Sequence, residues 1–61
     1  MCEFKVFLNG EKVFEDAIYL ASNDGKVMLK SILGETKEFD GCQIAEVNVY
    51  TEKAVLVPRK Q

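Results

Sequence analysis

The chain has 61 residues, of which 48% are hydrophobic and 30% charged, and its formal net charge is −2. This length allows one small domain, residues 1–61, and the composition is that of a folded protein. The sequence has no histidine, which excludes a histidine general base, a histidine-containing triad and an imidazole metal site. We therefore expect no catalytic residues and no enzyme activity.

Targeting signals are missing from the sequence. It has no apolar run approaching the ~20 residues of a membrane span, and its beginning lacks the pattern of a signal peptide. We expect a cytoplasmic protein with no membrane contact.

The first elements are predicted to be two strands joined by a tight turn. Residues 2–8 alternate between apolar and charged positions, and Asn9-Gly10 is a strong signal for a two-residue hairpin. Residues 11–14 return as the second strand. Glu15-Asp16 then interrupts the apolar pattern, which predicts a corner or a bulge.

The middle of the chain continues as short strands. Residues 17–22 form an apolar run whose length favours a strand, and Asn23-Asp24-Gly25 predicts the next turn. Residues 26–32 alternate again. Leu33-Gly34-Glu35 breaks this pattern, and residues 36–39 predict a polar edge strand.

The last third predicts two more strands. Asp40-Gly41 marks a turn, and residues 42–50 are the longest candidate strand. Residues 51–53 form a polar turn, and residues 54–57 are the last strand before Pro58, which cannot donate to a ladder. The chain is therefore predicted to be all-β, a small barrel or rolled antiparallel sheet of about six to seven short strands.

Several strands carry apolar residues on both faces. Phe7 lies opposite the face of Phe4 and Val6, and Leu56 lies opposite Val55 and Val57. A chain of about 60 residues has only a thin core. We therefore predict a homodimer that buries the second face. Scattered exposed apolar residues, which are normal in monomers, are the alternative.

The charge distribution argues against nucleic acid as a partner. Eight basic residues are scattered among ten acidic ones, and only Arg59-Lys60 is a cluster, whereas phosphate-binding surfaces have a basic excess or stripe. An RNA-binding barrel that stacks bases on aromatic side chains is the alternative. Its candidate residues are Phe4, Phe7, Phe14, Tyr19, Phe39 and Tyr50.

The two cysteines, Cys2 and Cys42, have different predicted roles. Without an export signal, both are expected to be reduced thiols. Cys42 begins an apolar strand, and free cysteine is commonly buried, so Cys42 is predicted to be a core residue.

Cys2 directly follows Met1, which places a thiolate, a backbone amide and an α-amine within two residues. These groups can form adjacent chelate rings around one metal ion without any histidine. Thiolate with nitrogen donors suits Ni(II) or Cu(II), whereas structural zinc prefers four closed cysteine or histidine ligands. Met1 and Cys2 are therefore the candidate metal ligands, and removal of Met1 would leave Cys2 to supply both amine and thiolate. The other interpretation is that Cys2 only begins the first strand.

The chain resembles the CooT-like small nickel-binding proteins over nearly its whole length. The resemblance is carried by Met1-Cys2-Glu3, the Asn9-Gly10 hairpin, Leu33-Gly34-Glu35 and the strand of residues 44–49. It implies a dimeric SH3-like barrel with a role in nickel delivery for carbon monoxide dehydrogenase maturation. Some relatives carry only the label of predicted RNA-binding proteins.

The resemblance implies that the metal-binding cysteine is Cys2 and that the neighbouring terminal groups belong to Met1. The expected function is that of a cytoplasmic nickel-binding protein, a metallochaperone or metal sensor, holding Ni(II) or another divalent metal. The metal site is expected at a homodimer interface, and the client would be a metalloenzyme such as a carbon monoxide dehydrogenase. A protein–protein interaction module without metal remains an alternative.

Overall fold

A computed structural model describes residues 3–59 as six strands in a single mixed sheet. Within this range there is no helix long and apolar enough to cross a membrane. The all-β prediction is confirmed. The strands are β1 (Phe4–Leu8), β2 (Glu11–Asn23), β3 (Lys26–Ser31), β4 (Thr36–Asp40), β5 (Cys42–Asn48) and β6 (Lys53–Pro58).

The sheet is rolled but not closed, with the order β4-β3-β2-β1-β6-β5. Of the two predicted forms, the rolled sheet is therefore the one observed. It is mixed and not purely antiparallel, because β6 returns beside β1 in the parallel direction. The polar strand predicted at an edge, β4, does lie at one edge of the sheet.

One long strand, β2, takes the place of two predicted strands. It continues through the predicted interruption because Asp16 adopts a φ of 57°, a left-handed conformation that aspartate tolerates. The first half of β2 pairs with β1 and the second half with β3, and the two pairings meet at Ala17. The predicted bulge is thus where β2 changes partner, and the strand count is six.

The predicted hairpin turns are confirmed by their backbone angles. Asn9 and Gly10 have φ of 54° and 79°, and Asp24 and Gly25 have φ of 50° and 76°. Two successive positive angles are the signature of type I′ turns, whose twist matches that of the flanking strands.

The core lies on the inner face of the roll. Val27 and Leu29 alternate with exposed residues along β3, as predicted, and both are fully buried. Every strand except the polar β4 supplies a buried apolar residue, and β4 packs Phe39 against the same cluster. The buried apolar residues are Val6, Ala17, Val27, Leu29, Cys42, Ala54 and Leu56.

Backbone hydrogen bonds hold the roll together where β4 turns into β5. The carbonyl of Gly25 accepts the N–H groups of Gly41 at 2.6 Å and Cys42 at 3.0 Å, and Gly41 accepts the Arg59 N–H at 2.8 Å. The β2–β3 turn and the end of β6 are therefore both joined to the β4–β5 corner, which brings the two edges of the sheet toward each other.

Strand β5 ends two residues earlier than predicted. The side-chain Oδ1 of Asn48 accepts the Thr51 N–H at 3.2 Å. Such local side-chain hydrogen bonds compete with the backbone hydrogen bonds between paired strands. Val49 and Tyr50 therefore belong to the β5–β6 turn, where their exposed fractions are 62% and 100%.

Candidate functional site

The two predicted metal ligands, Met1 and Cys2, lie outside the described residues 3–59. The described chain begins at half-buried Glu3 and enters β1 between two neighbours. Phe4 is paired with Ala17 of β2, and the Lys5 N–H donates to the Glu52 carbonyl at 2.9 Å. The start of β1 is thus fixed on both sides, by the middle of β2 and by the β5–β6 turn.

Cys42 is a free, buried thiol with 6% exposure, as predicted for a core residue. Its Sγ lies 3.6 Å from the Asp40 carbonyl, to which the thiol donates. Neighbouring apolar side chains surround it in the core cluster. Cys42 is therefore part of the core, and its sulfur has no open path to a metal ion in solvent.

Metal-ligating side chains are dispersed in the described part of the chain. No group of three or more histidine, cysteine, aspartate or glutamate residues is close enough to hold an ion within residues 3–59. The carboxylates lie mainly on exposed strand faces and in turns.

The aromatic residues of the RNA-binding alternative do not form one surface. Phe4, Phe14 and Phe39 pack against the core, while Tyr19 and Tyr50 are exposed on different elements. The described structure thus provides no row of stacking platforms of the kind that single-stranded RNA needs.

Four of the six lysines in the described residues make a local contact with an acid or an aromatic ring. Lys12 pairs with Glu15 at 3.3 Å, and Lys53 lies over the Phe7 ring with its Nζ 5.0 Å from the centroid. Such contacts are spread over several strands, so they make no basic stripe.

A shallow pocket of about 250 Å³ lies on the outer face of the β2–β4 segment of the sheet. Tyr19 and Met28, both about half exposed, form part of its wall, and Lys26 and Glu38 supply charges of opposite sign. Lys26 also lies 3.9 Å from Asp40. The pocket is open and its charges balance, so it selects no particular ligand charge.

Three exposed apolar residues, Ile18, Ile32 and Leu33, form what we call the apolar corner. Ile18 follows Ala17, and Ile32 follows Ser31, which is the residue paired with Ala17. The exposed fractions are 47% for Ile18, 41% for Ile32 and 82% for Leu33. The corner therefore places three large apolar side chains in solvent where β2 changes partner.

The turn that carries Leu33 is built around the buried side chain of Ser31, which is 2% exposed. Its Oγ accepts the N–H groups of Leu33 at 3.2 Å and Glu35 at 3.1 Å. Backbone bonds add to this: Gly34 N–H donates to the Ser31 carbonyl, and Ser31 N–H donates to the Glu35 carbonyl. The turn is thus fixed by four hydrogen bonds to one residue.

Ser31→Ala is expected to destabilise the fold by about 1–3 kcal/mol, because two backbone N–H groups lose their acceptor next to the core. Urea unfolding measures this loss as a lower midpoint at unchanged slope. Ser22→Ala, on an exposed position of β2, is the control and should unfold like the wild type. Equal midpoints for Ser31→Ala and Ser22→Ala would contradict the role assigned to the Ser31 hydroxyl.

The apolar corner and the outer pocket were not predicted from the sequence. The signal for the corner was Ser31-Ile32-Leu33-Gly34, a serine before two large apolar residues and a glycine. Two adjacent apolar residues in a turn cannot both enter a core. This pattern could have predicted that at least one of them is exposed.

The comparisons with known proteins agree with the resemblance found in the sequence. No curated protein matches the chain. A family described as CO dehydrogenase accessory protein CooT matches residues 1–57, which is nearly the whole chain and includes Met1 and Cys2. The chain belongs to the CooT family.

Proposed function

We propose that this chain is a nickel-binding accessory protein that carries Ni(II) for a CO dehydrogenase. The family membership is the single observation that carries the proposal, because its description names an accessory protein of that enzyme. The match begins at Met1 and therefore includes the two proposed ligands. Nickel is cargo in this proposal, and the protein's role is non-catalytic.

The proposed donors are the Cys2 thiolate, the backbone amide nitrogen between Met1 and Cys2, and the α-amine. Thiolate and nitrogen donors match the preference of Ni(II), and the sequence contains no histidine that would compete for the ion. Each donor must lose a proton before it binds. Nickel affinity is therefore expected to fall as the pH falls, because protons compete for the same atoms.

Burial of Cys42 supports the assignment of Cys2 as the sulfur ligand. The chain has two cysteines, and Cys42 is enclosed by the core with its thiol directed at the Asp40 carbonyl. Binding nickel at Cys42 would require opening the core, which leaves Cys2 as the proposed sulfur ligand.

We also propose that the protein acts in the cytoplasm as a homodimer. Support comes from the outer face of β1 and β6, where Phe7 lies beside Val55 in the register and both are half-buried, as is Val57. The sequence singled out these residues together with Leu56, which lies in the core. Sedimentation equilibrium of untagged protein is expected to give twice the mass of one chain, and a single-chain mass would contradict the dimer.

The use of the α-amine is tested by extending the chain at either end. An extension before Met1 converts the amine into an amide and should lower nickel affinity by more than about tenfold, since a ligand is lost. An equally long extension after Gln61 is the matched control and should bind like the untagged chain. Isothermal titration with NiCl₂ makes the comparison, and equal affinities would remove the α-amine from the site.

A further inference from the structure

The outer pocket on β2, β3 and β4 is built on a regular grid of side chains. Residues opposite each other in an antiparallel pair share one face of the sheet, and the register places Ala21, Met28 and Glu38 in one row across the three strands. The paired strands therefore fix which side chains meet around the pocket. Its lining residues are Tyr19, Ala21, Asn23, Lys26, Met28 and Glu38.

The floor of the pocket is apolar and lies at Ala21. This residue sits between Tyr19 and Asn23 on the same face of β2, and its single methyl group leaves a depression between two longer side chains. Tyr19 and Met28, with exposed fractions of 52% and 41%, stand beside it. An aromatic ring and a thioether next to a small residue suit a flat or flexible apolar group.

Two opposite charges border this floor. Lys26 is a diagonal neighbour of Glu38, because Met28 is the direct partner of Glu38 in the register. Such diagonal positions have Cβ atoms about 7 Å apart. No ion pair within residues 3–59 involves Glu38, and Lys26 makes only an exposed pair with Asp40 at 3.9 Å. Exposed pairs are weak, so both charged groups can turn to a ligand placed between them.

The size of the grid favours a small molecule over a second copy of the chain. Three strands with five residues each cover about 250 Å², whereas a stable interface buries about 800 Å² on each partner. The pocket volume of about 250 Å³ is also slightly below that of pockets for drug-sized ligands. Because the bordering charges balance, the matching ligand is dipolar, with one charge of each sign on an apolar body.

We propose that the outer pocket binds a free α-amino acid that has an aromatic or other large apolar side chain. Its carboxylate contacts Lys26 and its ammonium contacts Glu38, since both groups of an α-amino acid are attached to one carbon atom. Its side chain lies over Ala21, between Tyr19 and Met28. This site is separate from the proposed nickel ligands and does not rest on the proposed function.

L-phenylalanine is the probe, and its titration into the metal-free full-length chain is followed by amide chemical shifts in NMR spectra. For a ligand of about a dozen non-hydrogen atoms, we expect a dissociation constant of about a millimolar. The saturable shifts should be confined to residues 19–28 and 36–40. Saturable shifts elsewhere, or none in these segments, would overturn the site.

Three related compounds test which parts of the ligand are recognised. The amide of L-phenylalanine lacks the carboxylate, N-acetyl-L-phenylalanine lacks the ammonium, and L-alanine lacks the ring, so each should bind a few-fold more weakly. A peptide end carries only one of the two charges. Equal or tighter binding of either blocked derivative would therefore assign the pocket to a peptide end and overturn the free amino acid, and equal binding of L-alanine would overturn the apolar floor.

Matched variants test the two charged contacts. Glu38→Gln should weaken binding of L-phenylalanine a few-fold and leave binding of its N-acetyl derivative unchanged, because that derivative has no ammonium. Lys26→Gln should likewise leave binding of the amide unchanged. Glu46→Gln on β5 and Lys5→Gln on β1, both at exposed positions, are the controls, and losses equal to those of the pocket variants would overturn the charged contacts.

Ala21→Leu tests the floor directly. Ala21 is half-buried on the outer face, so a larger side chain fills the pocket without entering the core. Loss of L-phenylalanine binding with unchanged thermal unfolding supports the proposal. Wild-type affinity in Ala21→Leu would overturn it.

Discussion

Cys2→Ser is expected to abolish specific nickel binding. A hydroxyl does not replace a thiolate as a ligand for this ion. Loss of a residue that only hydrogen-bonds a metal ligand lowers metal affinity by about 10–100-fold. Loss of the ligand itself should therefore lower nickel affinity by more than about a hundredfold. Titration of untagged protein with NiCl₂, read by calorimetry and by sulfur-to-nickel charge-transfer absorption, measures the change.

Cys42→Ser is the matched control because it removes the other thiol. The hydroxyl at position 42 can still donate to the Asp40 carbonyl, which now accepts the thiol at 3.6 Å. This variant should lose some stability and keep both nickel affinity and the absorption band. If instead Cys42→Ser lost the band and Cys2→Ser kept it, the terminal site would be wrong.

Leu29→Ala is expected to have the largest effect on stability. Leu29 is fully buried, and its β2 partner in the register is Leu20, which packs against the same core. Truncation of a buried leucine costs about 2–5 kcal/mol. A chain of this length has a total stability of only about 3–9 kcal/mol, so the melting temperature should fall by more than about 10 °C.

Leu33→Ala is the control for Leu29→Ala because the same atoms are removed from a site that is 82% exposed. We expect a change within about 0.5 kcal/mol for this variant. Thermal unfolding followed by circular dichroism compares the two. Similar melting temperatures would mean that the inner face of the roll is not the core.

The turns and strand patterns could be predicted because they depend on local residues. Asn9-Gly10 and Asp24-Gly25 supply the positive φ that type I′ turns need. The placing of Val27 and Leu29 on the face opposite Lys26 and Lys30 identified the inner face of β3. These features require no knowledge of which strands become neighbours.

The pairing of distant strands could not be predicted in the same way. Only the three-dimensional arrangement places β6 parallel to β1 and lets β2 pass from one partner to the next at Ala17. The bulge between Ile44 and Glu46 likewise changes which side chains face inward. Val47, which this bulge brings opposite the buried Ala54, is 51% exposed even so.

The same difference between local and long-range features decides which parts of the candidate site could be predicted from the sequence. The chelating groups of Met1 and Cys2 are adjacent in the sequence, so their chemistry could be predicted without a structure, and their placement stays a prediction because they lie outside residues 3–59. The apolar corner depends on the pairing of Ala17 with Ser31, two residues far apart in the chain, so the structure was needed to find it.

The central claim is that the sulfur at position 2 and nitrogen atoms beside it hold the nickel. The most direct test is nickel K-edge X-ray absorption of the untagged, nickel-loaded wild type. A spectrum with sulfur and nitrogen neighbours, from which the sulfur contribution disappears in Cys2→Ser, is the predicted result. A nickel ion surrounded only by oxygen and nitrogen in the wild type would contradict the claim.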